Sequence, residues 1–308
     1  MIIDSHVHVW SYPALADVGD KIRTTGDLVA FRTRYPDLYD RTLTEDPVDN
    51  SDMLVAHMDE AGIDRALVQA RPGSVTNEHV AESVRRHPDR LFGLMRIGHD
   101  QEAAYEYLED TTPVRDGAGD AVSHAIEDLG MKGLGEIFIR ALTSEIHPEK
   151  IAKDLRPMMD AVARYGVPVQ FPTAWTQFPG GLFWGNPLWA DEVACRYPDV
   201  PIILTKMGRG LITYFEPCLT VAMRNSNIYF DVVGTTPEHL RIALDAVGSE
   251  RILFGTDWSA TWRFVREPAD LYTIRLKVLD DAGVAGEDRE NILWRNAARI
   301  FRLDAGVN

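Results

Sequence analysis

The sequence predicts an α/β protein folded as one eight-stranded parallel barrel, a (β/α)8 TIM barrel, with a long lid-like insertion after the first strand. Three observations carry this. Eight short apolar runs each suit a strand buried on both faces. Amphipathic segments with helix start and stop signals lie between them. The runs recur about every 36 residues, close to the allotment of one βα unit. The 308 residues therefore read as a single domain, 1–308. A doubly wound open sheet is the alternative, but no glycine-rich phosphate loop follows the first strand.

In chain order the strands are expected at Ile2–Val9, Arg65–Ala70, Leu91–Ile97, Gly133–Ile139, Val167–Phe171, Pro201–Thr205, Ile228–Val233 and Arg251–Gly255. Met53, Leu54, His57, Met58 and Ala61 fall at helical spacing, and Gly62 is the stop. Asp154–Tyr165 reads likewise before Gly166, and Pro187–Arg196 opens with proline in its first turn. Pro237–Ala246 precedes Gly248, and Asn291–Phe301 closes the chain. Residues of the insertion, about 10–50, lack strong periodicity and include Arg23, Arg32 and Arg34. In a barrel this segment emerges at the C-terminal face, where sites are built. A lid is one use for it; packing or a homodimer contact is the other.

The charge balance, 32 basic against 47 acidic residues, gives −15. Nucleic acid is an unsuitable partner, because phosphate binding needs clustered Lys and Arg. No apolar run is long enough to span a membrane, and MIIDSHVHVW lacks the pattern of a signal peptide, so the expected location is the cytoplasm. Cys195 and Cys218 are too few for a disulfide framework. The expected partner is a small-molecule substrate.

His6 and His8 sit two apart on the first strand and so share a face. Two imidazoles inside a barrel begin a metal site that needs partners from other strand ends. Asp257, in ILFGTDWSA, ends the eighth strand, which neighbours the first in a closed barrel. It can bind a metal or move a proton; a helix N-cap is its bland alternative. The stretches DSHVHVW, NPLWADEVACRYPDVPIILTKMGRG, NIYFDVVG, RILFGTDW and NILWRNAARIFRL resemble the amidohydrolase superfamily, in its amidohydrolase 2 branch. That branch includes aminocarboxymuconate-semialdehyde decarboxylase-like enzymes, other decarboxylases of aromatic acids, and lactonases.

Two departures from the resemblance matter. The family usually ends strand five with histidine, where this chain has Pro172 in Pro168-Val169-Gln170-Phe171-Pro172. It usually ends strand six with histidine, where this chain has Lys206 before Met207-Gly208. None of the nine histidines lies between His147 and His239. Fewer neutral ligands and a nearby ammonium imply that Lys206 replaces a tightly bound metal, so no cofactor is expected. The alternative is a divalent metal such as zinc on His6, His8, Glu136 and Asp257. Glu136, in GLGEIFIR, could complete that set or pair with Lys206.

Five of the seven tryptophans follow strands, namely Trp10, Trp175, Trp184, Trp258 and Trp262. Trp175, Trp184 and Trp258 suggest an aromatic pocket wall, and Arg71 and Arg209 suggest anion contacts, with Arg96 a further candidate. Structural packing is the competing use for each. Asp231, in YFDVVG, matches a frequent family position without an evident role. The catalytic set is then Asp257, Lys206, His6 and His8. The first reading is a hydrolase of a small cyclic or aromatic lactone or amide, with Asp257 as general base and Lys206 polarising the carbonyl. The alternative is a non-oxidative decarboxylase or other lyase of an aromatic or unsaturated acid, with Asp257 protonating the ring carbon. A ligand-binding barrel without a reaction is the second alternative.

Overall fold

The first strand, β1 (Ile3–His8), is buried along its whole length, and seven more parallel strands follow it around the ring. These are β2 (Arg65–Gln69), β3 (Leu91–Leu94), β4 (Leu134–Glu136), β5 (Val169–Pro172), β6 (Ile202–Thr205), β7 (Ile228–Asp231) and β8 (Ile252–Leu253). The computed structural model describes residues 1–11, 14, 17, 21, 27, 30–71, 73–98, 108, 110–174, 180–260 and 267–303. Adjacent strands pair in chain order from β1 to β3 and from β4 to β8. A parallel bridge from Met95 to Leu134 joins β3 to β4. Between β8 and β1, Ser5 donates to the Phe254 carbonyl and the Asp257 amide to that of His6, each at 2.9 Å. The ring is closed.

Every expected strand overlaps an observed one; each is trimmed at one or both ends, and β5 also runs one residue past its expected end, to Pro172. Between them run α1 (Ser51–Ala61), α2 (Asn77–Arg86), α3 (Thr112–Glu127), α4 (Arg156–Tyr165), α5 (Ala190–Arg196), α6 (Ile212–Arg224), α7 (Pro237–Val247) and α8 (Asp270–Asp281). Gly62 ends α1 in the left-handed conformation, as its position predicts. The expected helix Asp154–Tyr165 is α4, starting two residues later, and a separate helix, Pro148–Asp154, precedes it and meets it at Leu155. Pro157 in the first turn of α4 has no N–H to continue the earlier ladder. Asn291–Phe301 is helical as expected, a wide turn at Asn291–Arg295 running directly into Asn296–Ile300.

In the insertion, Trp10–Ser11 pairs antiparallel with Val48–Asp49, which straps its two ends together. Helices Phe31–Arg34 and Pro36–Thr44 lie between. Arg34 pairs with Asp27, and the Arg32 guanidinium lies over the Tyr39 ring, so both act within the insertion. Arg23 lies outside the described residues. No helix among the described residues is long and apolar enough to cross a membrane.

The barrel interior is layered. At the bottom Ile3, Leu67, Leu94, Ile203 and Leu253 pack with Ala297, Ile300 and Phe301 of the last helix, which plugs that end. Above them the same strand faces turn polar, with His6, His8, Gln69, Glu136, Gln170, Thr205, Asp231 and Asp257 all buried. Burying polar groups this way is costly unless they satisfy one another, so this upper layer is where chemistry belongs.

Candidate active site

Irregular backbone aims the key side chains. The β1–β2 register shifts between Asp4 and Val7, a bulge that turns Asp4 out toward Thr256 and leaves His6 and His8 facing inward. A second shift lies between Leu134 and Glu136. There a Cβ on Gly135 would collide with the Gln69 side-chain oxygen, which accepts from the Glu136 amide. Only glycine lets that pairing form, and it projects Glu136 into the barrel. Lys206 and Asp257 have φ of 68° and 62°, a left-handed conformation rare for such residues. Gly208 continues the turn after Lys206, because a Cβ there would strike the Phe215 backbone.

These devices converge four donors. His6 Nε2 lies 3.4 Å from Glu136 Oε2 and 3.6 Å from Asp257 Oδ1. His8 Nε2 lies 3.5 Å and 3.4 Å from the same two oxygens. A tetrahedral cage with bonds of about 2.1 Å has edges of about 3.4 Å. All four atoms lie within 4.8 Å of one another, and all four residues are buried. The donor set therefore fits a divalent metal.

Lys206 occupies the other side of the same carboxylates. Its Nζ donates to Glu136 Oε1 at 2.7 Å and to Asp257 Oδ2 at 3.3 Å, and lies 3.4 Å from His6 Nε2. Thr205 also donates to Glu136 Oε1, at 3.0 Å. Lysine and donor set thus meet the two carboxylates on different oxygens, which keeps the divalent-metal alternative open beside the expected metal-free site. Each carboxylate has one oxygen for the ammonium and one for the cage. Arg209 adds a guanidinium 3.7 Å from Asp257 Oδ2.

Asp231, whose role the sequence left open, anchors the centre. Its Oδ2 is 2.8 Å from His6 Nδ1, and its Oδ1 accepts from the amides of Lys206 and Val233. A carboxylate at Nδ1 fixes the imidazole's orientation and leaves Nε2 for the cage. Burial and the Lys206 charge push His6 down, yet the Glu136 charge and hydrogen bonds to Asp231 and Glu136 hold it up at about 10. Burial alone would raise Asp257 and Glu136. The Lys206 ammonium and the two histidines overcome it and hold both carboxyls well below their ordinary range.

The expected pocket wall fares differently. Trp258 is fully buried, and its indole donates to His57 Nδ1 on α1 at 3.2 Å, so it packs the barrel's outside rather than lining the mouth. Trp10 likewise bonds Ser83 and packs on His79. Both corrections share a reason: a tryptophan beyond a strand end can turn out to the helix layer as readily as in. Trp184 is half-buried with the Arg140 guanidinium 5.8 Å over its ring. Trp175 and Trp262 lie outside the described residues. Arg71 is half-buried at the end of β2 and donates to Ser259, the residue paired with His8, so it reaches across the end of β1. Arg96 is buried over Phe138 and donates to the Glu136 carbonyl. Gln69 and Gln170 were missed; their signal is a polar residue inside an otherwise apolar strand run.

A closed parallel barrel with a histidine pair on its first strand and an aspartate after its eighth is an amidohydrolase-type site. The chain matches the amidohydrolase family over residues 3–303 and belongs to it. A γ-resorcylate decarboxylase from Polaromonas sp. (strain JS666) is 23% identical over 325 residues, covering 88% of this chain and 91% of that protein. The structure of 2,6-dihydroxybenzoate decarboxylase with its namesake bound superposes with TM-score 0.65 at 18% identity, covering 99% and 100% of the two chains. A probable 2-pyrone-4,6-dicarboxylic acid hydrolase from Acinetobacter baumannii superposes with TM-score 0.59 at 15% identity, covering 98% of each. At these identities the superpositions speak for the fold.

Proposed function

We propose that the protein is a non-oxidative decarboxylase of an aromatic or unsaturated carboxylic acid, with a divalent metal on His6, His8, Glu136 and Asp257. The observation that carries this is geometric: Lys206 Nζ donates to Glu136 Oε1 at 2.7 Å and to Asp257 Oδ2 at 3.3 Å, and the Arg209 guanidinium lies 3.7 Å from the same Asp257 oxygen. An ammonium therefore stands beside Asp257 as a proton source, which protonation of a ring carbon needs. Both the curated relative and the superposed dihydroxybenzoate enzyme are decarboxylases, which supports this reading over the hydrolase one.

In the proposed reaction Lys206 supplies the proton through Asp257 Oδ2. A C–H bond forms at the carbon bearing the carboxylate; the C–C bond then breaks, its electron pair returns to the ring, and carbon dioxide leaves. Lys206 regains a proton from solvent. Arg209 and Arg71 hold anionic groups of the substrate at the mouth. A bound metal would supply positive charge that polarises a substrate oxygen. The left-handed backbone at Lys206 and Asp257 supports a working site over an inert binding barrel, since strain of this kind gathers where geometry serves function.

The test is carbon dioxide release from 2,6-dihydroxybenzoate and related hydroxybenzoates. Asp257→Asn is expected to lower turnover by roughly 10²–10⁴-fold. Turnover within a few-fold of wild type would contradict the assignment. A hydrolysed product without carbon dioxide would restore the hydrolase reading.

A further inference from the structure

The two cations available to this centre, one built in and one acquired, meet the same two carboxylates on different oxygens. Lys206 Nζ takes Glu136 Oε1 and Asp257 Oδ2, and the imidazoles of His6 and His8 converge on Glu136 Oε2 and Asp257 Oδ1. We infer that Lys206 is a resident counter-cation that shares both acidic ligands with the metal and thereby keeps the metal weakly bound and exchangeable. The inference rests on the metal reading above and deepens it.

Three features support a tuning role over simple replacement. The inner oxygens and both Nε2 atoms keep cage-like spacing with the lysine in place, and the ammonium bonds the outer oxygens while lying 3.4 Å from His6 Nε2. The lysine is buried and its position is fixed at both ends: the backbone amide bonds Asp231, and the ammonium bonds Glu136. A buried ammonium beside a metal site repels a second cation and withdraws electron density from the shared carboxylates, and both effects weaken binding. A methionine-length neutral side chain would remove the ammonium from Glu136 Oε1 and Asp257 Oδ2 and leave Thr205 and Arg209 beside them, so more of the carboxylates' charge would act on the metal.

The experiment is Mn²⁺ titration of the metal-stripped full chain without substrate, followed by the electron paramagnetic resonance signal of the free ion. Wild type is expected to bind one Mn²⁺ weakly. Lys206→Met and Lys206→Gln should each bind one Mn²⁺ at least tenfold more tightly and show a larger Mn²⁺-dependent rise in Tm. The glutamine variant keeps the test open if the methionine variant does not fold. Neutral variants that bind Mn²⁺ no tighter than wild type would overturn the inference, as would absence of binding in all three proteins. No substrate is present, so failure of the decarboxylase reading shows separately, in the carbon dioxide assay.

Discussion

A single hydrogen bond decides which nitrogen of His6 faces the cage. Asp231 Oδ1 is committed to two backbone amides, so Asp231→Asn would keep its carbonyl there and turn its NH2 toward His6 Nδ1. The imidazole would then accept at Nδ1 and carry its proton on Nε2, where it cannot ligate. Metal affinity and turnover should each fall by roughly 10–100-fold while the fold persists. Nitrogen-15 chemical shifts of the His6 ring check the tautomer directly; an unchanged tautomer with unchanged affinity would contradict the role. His6, His8, Asp257 and Lys206 were legible in the sequence because each lies within or just after a recognisable apolar run. Asp231 was visible but mute, since its work depends on a partner more than 200 residues away. The division of the carboxylate oxygens was not legible, because pattern gives neighbours but not which atom faces which.

Strand positions came through the sequence well because buried parallel strands announce themselves as apolar runs, whereas bulges, which set the side-chain aim, leave little trace. One of them has a measurable consequence at the β8–β1 seam. Asp4, turned outward, accepts from the hydroxyl and amide of Thr256 and from the His6 amide. Burial nonetheless pushes its carboxyl up to about 7, against the pull of those bonds. A folded-state value above the ordinary one means that its contribution is fully present below about 4 and is lost as pH rises through about 7. Asp4→Asn can keep both amide contacts and donate to Thr256, so it should be more stable than wild type at pH 8, by on the order of 1–4 kcal/mol. The gap should narrow steadily toward pH 4. Urea unfolding across that range checks the sign, and a gap that widens on acidification would refute it. The tryptophans show the opposite lesson: their positions after strands were correct, but the choice between mouth and helix layer is made by packing partners such as His57 and Ser83.

At the scale of the molecule, an acidic chain surrounds a mouth that carries Lys206, Arg71 and Arg209 above two buried carboxylates. On the proposed decarboxylase reading, the substrate is anionic and its protonation, not attack by water, is the difficult step. The most direct measurement is the fate of 2,6-dihydroxybenzoate labelled with carbon-13 in its carboxylate, turned over in D₂O with Mn²⁺ present. The account predicts labelled carbon dioxide in equal amount to a ring product bearing one deuterium at the vacated carbon, with both absent from the Asp257→Asn protein. Consumption of a ring substrate with the label retained and water added instead would contradict it.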